Sequence, residues 1–258
     1  MKIPFYWLGL IATFFCMAVS AADLDRLEIE KHLAKADKNH PADLRRKNLT
    51  GLDLSGLDFT NADLWGSDLR NANLSNSNLS GLNLDLTVMS RINLSGANLS
   101  NTSIFGVHMG GANLSHANLS GSRFIANLDR SNLSHANLSH ASWGVDMKNQ
   151  PMGLMRVSLN NANLSGADLS DANLNRALLR HANLSESVLK NTVLFAADLA
   201  GADLAGADLS GADLSGCNLE GTNFAGANLA GTRFKGVKNK SMLKGVDSSK
   251  NLESAVFD

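Results

Sequence analysis

Apolar positions along most of this chain follow the period of neither regular element. In ADLAGADLAGADLSGADLSG, residues 197–216, Leu199, Leu204, Leu209 and Leu214 recur at every fifth position, each with Ala two places before it. Five steps around an α-helix leave successive leucines about 140° apart, so they scatter around the axis. Five steps along a strand put each leucine on the opposite face from the last, because the strand period is 2. A chain that takes a right-angled corner after every short extended segment turns all the leucines, and the alanines two before them, toward one axis. Five residues are then one side, and four sides make a coil of about twenty residues. Coils stacked at about 4.8 Å pair their backbones with the coils above and below. The pattern predicts an all-β, four-sided solenoid of parallel coils.

The quintet Ala-Asp/Asn-Leu-Ser-Gly resembles the repeat of the pentapeptide repeat protein family, and the resemblance runs from Pro41-Ala42-Asp43-Leu44 to Thr232-Arg233-Phe234. It implies a right-handed quadrilateral β-helix with Leu or Phe at the central inward position, a small residue at the other inward position and polar residues outside. About nine coils fit, giving a rod roughly 40 Å long. The departures agree with this reading: Phe59, Phe124, Phe224 and Phe234 replace Leu only in the central slot, and Cys217 takes the small inward slot. Cys217 is therefore expected to be a buried, inert substitute for Ala. Gly201, Gly206, Asn71 and Asn76 follow the outward residue, which suits a corner that tolerates positive φ. His116, Arg180 and Lys190 also fall at corners, from which positive φ is expected not to be obligatory.

The register runs unbroken to Phe124, after which Leu128, Leu133, Leu138 and Trp143 arrive one residue early; the leucine phase returns at Leu154. One residue lost and one regained predict a bulge or kink near Ile125 and an irregular loop over 144–153, around Pro151. The solenoid is expected over 41–234, with a cap at each end, because an open coil exposes unpaired edge and core. Residues 23–40 read as a short helical cap with Leu24, Leu27, Ile29 and Leu33 against the first coil. Residues 235–258 form the other cap, with Ala255 and Phe257 as closing residues, and that end also offers an edge to a second copy.

Composition adds limits. Only 5% of the 258 residues are aromatic and the formal charge is −1, so no whole-molecule field favours nucleic acid or an anionic membrane. Residues 1–22 place Lys2 before an apolar run that ends in small residues, the build of a secretory signal peptide with cleavage before Ala22 or Asp23. The alternative is an uncleaved N-terminal membrane anchor, since the run approaches the roughly 20 residues of a spanning helix. Cleavage implies a periplasmic or extracellular protein. Cys217 is then the sole cysteine of the mature chain, and no intramolecular disulfide can form.

Candidate chemistry is sparse. The serines lack a nucleophile elbow, and the glycines form no phosphate-binding motif. Asp198, Asp203, Asp208 and Asp213 fall on four different sides, so they make a belt around the rod and not a convergent acid pair. His116 and His135 fall about one coil apart with His140 one corner later, yet no zinc-ligand spacing accompanies them. No catalytic residue, metal site or cofactor is expected. One outward feature stands out: Trp65, Phe105 and Ile125 occupy a normally polar slot on one side, with Asp85 between the first two and Leu86 at the adjoining corner. They are candidates for an apolar stripe that binds a protein partner or a second copy. The expected function is a non-enzymatic exported scaffold for protein interaction. The alternative is a DNA mimic that binds DNA gyrase, which the family resemblance implies for some members. Export and the interruptions at Arg70, Arg91, Arg123, Arg130, Arg176 and Arg180 oppose it. An enzyme with its site in the 144–153 loop lacks an acid, base or nucleophile constellation.

Overall fold

The computed structural model describes residues 22–145, 156–238 and 243–257. Residues 1–21, nearly all of the segment expected to be a signal peptide or anchor, and the segment around Pro151 lie outside the described residues. The rest is a right-handed quadrilateral β-helix, preceded by one short helix. Its four sides begin from the core residues of the first coil: the first side from Leu44, the second from Leu49, the third from Leu54 and the fourth from Phe59, all fully buried.

The backbone of one quintet explains the repeat. In 72–76, Ala72 N–H donates to Leu69 C=O within the corner at 3.0 Å, and Asn73 N–H donates up to Leu52 C=O at 2.8 Å. Leu74 and Asn76 N–H donate down to Asn93 and Ser95 C=O, at 2.7 and 2.9 Å. The remaining donor, Ser75 N–H, is taken by the Asn73 side-chain Oδ1 at 3.2 Å. Every N–H of the quintet thus has an acceptor, and the Asp or Asn that usually stands there supplies, on a short side chain, the oxygen that closes that turn.

Inside, leucines stack from Leu44 to Leu229, with Phe59, Phe124, Phe224 and Phe234 in central slots and at most 1% exposed. The second inward slot most often takes Ala, with Leu52, Leu57, Leu82 and Ile92 among the larger exceptions, or a hydroxyl such as Thr102, whose Oγ1 donates to Leu99 C=O at 2.7 Å. Corners correct one expectation. His116 has φ +58°, and the left-handed slot near the other two residues is filled by His181 (φ +55°) and Asn191 (φ +55°), not by Arg180 and Lys190. Positive φ is the rule at this slot because the chain must reverse its pleat there to turn the corner; Asn61 and Val145 depart from it.

The expected bulge is present. Strand β1, Ser103–His108, pairs in parallel with β2, Arg123–Asn127: Phe105 faces Ile125 and Val107 faces Ala126, leaving Gly106 unopposed. From there coils pair one residue short, Asn113 with Asn132, until Asn127 pairs with Ser158 across the insertion. Gly144 and Val145 were expected in the irregular loop. Instead Val145 N–H donates to Asn175 C=O at 3.3 Å, because 141–145 completes a quintet of the first side.

At the N-terminal end, helix α1 spans Arg26–Leu33 and opens on a capping box between Asp25 and Glu28. Ile29 is fully buried and Leu24 and Leu33 pack on the core. Leu27 was expected there too but is 57% exposed, since two helical steps from Ile29 point it to the opposite side. Arg26 donates to the carbonyls of Asp53 and Ser55, at 3.0 and 3.1 Å, closing part of the first coil's edge. At the other end 3-10 turns at Val246–Ser248 and Leu252–Ser254 lengthen the sides, and the Phe257 ring stacks on Phe234 at 4.8 Å. Among the described residues no helix is long and apolar enough to cross a membrane.

Candidate protein-interaction face

The four sides are unequal. On the third side, asparagines form a ladder: Asn73 donates to Asp53 at 2.9 Å, Asn93 to Asn73 at 2.8 Å, Asn113 to Asn93 at 3.2 Å, and the chain of amides continues through Asn132 and Asn163 to Asn183. Its amides are engaged with one another and with the turn N–H groups, so this face is flat, uniform and self-satisfied. The aspartate belt has the same structural task. Asp198, Asp203, Asp208 and Asp213 accept from the N–H two residues on, at 3.0 to 3.2 Å, and nothing brings the four together.

The first side departs most from the repeat. Down its outward column, Trp65 stands above Asp85, Asp85 above Phe105, and Phe105 above Ile125. Gly144 follows, then Asn175, Phe195, Ser215 and Lys235. Leu86 lies at the corner of the same side with 52% exposure, and Phe105 is 41% exposed. Trp65 is half-buried beneath the Arg46 guanidinium, 4.9 Å from the ring centroid. Ile125, expected to complete the exposed stripe, is 4% exposed. Its coil lacks the corner residue, so Phe124, Ile125 and Ala126 are buried in succession and Ile125 lines the recess shared with Gly106, Arg156 and Leu178.

Two residues of this face escaped the sequence reading. Val193 and Phe195 are 37% and 43% exposed on the first side, four coils below Phe105. The insertion hides their phase: only pairing Asn127 with Ser158 shows that they share a side with Phe105.

The arginines are unevenly placed. The six arginines that interrupt the acidity, Arg70, Arg91, Arg123, Arg130, Arg176 and Arg180, all stand on the first and second sides. The fourth side carries Asp58, Asp168, Asp171 and Asp208, with Lys190 bonded to Asp208 at 3.3 Å. His116 and His135 do meet, stacked with ring centroids 5.1 Å apart and planes 15° from parallel. Lone pairs in near-parallel planes do not converge on one ion, and no group of three metal-ligating side chains forms among the described residues. The Cys217 thiol is pushed up to about 12 by burial and donates to Leu194 C=O at 2.9 Å, which leaves it a packing residue.

A four-sided coil closed by Asx turns, with a side-chain ladder outside and a leucine stack inside, defines a repeat solenoid that presents four long sides to its surroundings. The pentapeptide repeats family matches in eight copies, over residues 42–66, 53–91, 92–125, 154–191, 172–211 and 202–238. The chain belongs to the pentapeptide repeat family. Among solved structures it is similar to HetL from the cyanobacterium Nostoc sp. strain PCC 7120, a pentapeptide repeat protein involved in heterocyst differentiation regulation. The identity is 30% over 91% of this chain and 97% of that one, with a TM-score of 0.46. It is also similar to Rfr23 from the cyanobacterium Cyanothece 51142, at 32% identity over 51% of this chain and 91% of that one, TM-score 0.34. Full-length QnrB1, a plasmid-mediated fluoroquinolone resistance protein, shares 22% identity over 82% of this chain and 91% of its own, TM-score 0.32. No match was found among curated proteins.

Proposed function

We propose that this chain is an exported, non-enzymatic scaffold that binds a protein partner through its first side. The observation that carries the reading is the one-sided placement of exposed apolar residues. Leu86, Phe105, Val193, Phe195 and Val256 share one side, Val88 stands next to Leu86 where the second side begins, and the side opposite the first presents the asparagine ladder. Apolar side chains displayed on an otherwise polar solenoid favour contact with another protein. The leader-like segment at 1–22 supports export. Fractionation with N-terminal sequencing tests the location, expecting a mature chain that begins at Ala22 or Asp23 in the envelope or medium. Pull-down with Trp65→Ser and Phe105→Ser tests the face: partner capture is expected to drop at least about tenfold while the thermal midpoint holds.

A second reading, DNA mimicry toward DNA gyrase, draws on the acidic fourth side, which the arginines leave clear. Protection or inhibition in a gyrase supercoiling assay, together with cytosolic residence, would favour it over export.

A further inference from the structure

The first side is self-complementary, and we propose that its partner is a second copy of this chain, bound antiparallel, first side to first side. The inference rests on the reading that this side is the docking face, and it names the occupant. Gly144 lies midway along the face, two coils below Phe105 and two above Phe195. A twofold axis through Gly144, perpendicular to the rod, lays Phe105 of each copy on Phe195 of the other.

The same operation sets the other positions on the face. Asp63 meets Arg233, Trp65 meets Lys235, and Leu86 comes over the side-chain-free corner at Gly216. Asp63 and Arg233 occupy the column before the core residue, which faces itself under this rotation. Between the Asn83–Asp213 contacts at either end no two like charges are brought opposite each other; beyond them Lys235 arrives beside Arg46, which covers the Trp65 ring. At the axis itself the facing residues are Gly144 and Ser142, small enough to let the two backbones approach. Aromatic contact in two symmetric places supplies the adhesion, and two Asp63–Arg233 pairs, added to the in-chain contacts of Asp63 with Arg45 at 3.6 Å and of Arg233 with Asp213 at 3.1 Å, fix the register.

The strip is narrow. About nine coils at ~4.8 Å by about three extended residues give on the order of 400 Å² per copy, about half of the ~800 Å² per partner of a standard interface, so the dimer is weak and concentration-dependent.

Sedimentation velocity of the full mature chain, from about 1 to 100 µM, is expected to show a reversible monomer–dimer equilibrium. Asp63→Arg and Arg233→Asp should each weaken it about tenfold or more, and the double reversal should restore it, because each charge then meets its opposite again. Disulfide trapping reads the geometry. In a Cys217→Ala background, Ser142→Cys faces itself across the axis and should cross-link rapidly, whereas Ser215→Cys faces Asp85 and should not. Phe105→Cys and Phe195→Cys should cross-link when mixed and not separately. A chain that stays monomeric throughout the range, or Ser142→Cys that cross-links no faster than Ser215→Cys, overturns the proposal. Partner capture that still depends on Trp65 and Phe105 in a monomeric chain would overturn the dimer alone and leave the docking face standing.

Discussion

Phe124 and Trp143 lie face to face on the solenoid axis, ring centroids 4.7 Å apart and planes within 4° of parallel, in the adjacent layers of the first side where the register slips. Trp143 is fully buried and its indole N–H donates to Ser122 Oγ at 3.0 Å. Ser122 holds the second inward slot of the Phe124 quintet, within reach of the Trp143 indole in the next coil. Trp143→Ala is expected to cost about 3–5 kcal/mol by cavity formation. Trp143→Leu restores the common residue yet leaves the Ser122 hydroxyl without its donor, so it should still cost about 1–3 kcal/mol. Denaturant unfolding of the three chains gives the ranking.

Leu86 sits at φ +61° at a corner where Gly stands in the coils directly above and below, at Gly66 and Gly106. A branched side chain in the left-handed region costs roughly 1–2 kcal/mol, part of which a glycine returns through greater freedom in the unfolded chain. Leu86→Gly is therefore expected to leave stability unchanged or raise it by up to about 1 kcal/mol. A loss of more than that would mean that Leu86 contributes packing which its exposure does not show. The same substitution removes an apolar residue from the docking face, so binding and stability should move in opposite directions.

Trp143 and its neighbours also show what could be read from the linear chain. Trp143 is assignable to the core because a five-residue phase, once reset, still points its bearer at the axis. The quintet and coil periods needed no structure. Ile125 defeats the reading for a local reason: the slot rule assumes five residues per side, and at Ile125 the side has four, so the outward position is drawn inward. Val193 and Phe195 escape it because an insertion breaks the count that relates distant coils. The role of the Asp or Asn is hidden differently. Its hydrogen bond to the N–H two residues on is a backbone requirement, and composition alone presents it as an ordinary polar surface residue.

Acid should loosen the coil through those same aspartates. The Arg45 side chain and backbone hold the Asp43 carboxyl down at about 2, and the Arg70 guanidinium lowers Asp68. At Asp208 and Asp213 burial pushes upward, but hydrogen bonds from Ser210 and Ser215, with Lys190 and Arg233 nearby, bring both below the ordinary value of 3.8. Folded values below unfolded ones mean stabilisation that is complete above the unfolded range and is lost as pH falls through the folded values. The thermal midpoint is expected to hold near neutral pH and to drop from about pH 4 downward. A midpoint indifferent to pH down to about 2 would contradict this.

The Cys217 thiol makes the opposite case at high pH. Burial raises it from an ordinary 9.0 to about 12, so the folded state keeps the proton that the unfolded chain releases. Its contribution is whole below pH 9.0 and is lost as pH climbs toward 12. In the native chain at about pH 8, a thiol reagent should react far more slowly than with the unfolded chain, with a rate that tracks unfolding. Cys217→Ala should change stability at neutral pH by about 1 kcal/mol or less, since Ala fills this slot in neighbouring quintets. It should also abolish the cysteine part of the alkaline loss.

The asparagine ladder makes the sharpest distinction, because Asn and Asp differ there by one atom type. Asn113 Oδ1 accepts from Ser115 N–H at 3.2 Å and from the Asn132 amide at 3.4 Å, while its own amide donates to Asn93 at 3.2 Å. A carboxylate can accept the first two but cannot donate the third, and it would set its oxygen against Asn93 Oδ1. Aspartates occur in this column where that donation is not made: Asp53 is its first rung, and Asp203 accepts from Asn223 without donating to Asn183. Asn113→Asp is therefore expected to cost about 1–2 kcal/mol at neutral pH, with the cost shrinking below about pH 4 as the carboxyl regains a proton to donate. Asn113→Ala loses the turn acceptor as well as both rungs and should cost as much or more, without that recovery in acid. Urea unfolding of both variants at about pH 7 and about pH 3.5 separates the two behaviours. Equal losses for Asp and Ala at both pH values would show that the ladder's direction carries no energy and that the turn hydrogen bond alone selects the residue.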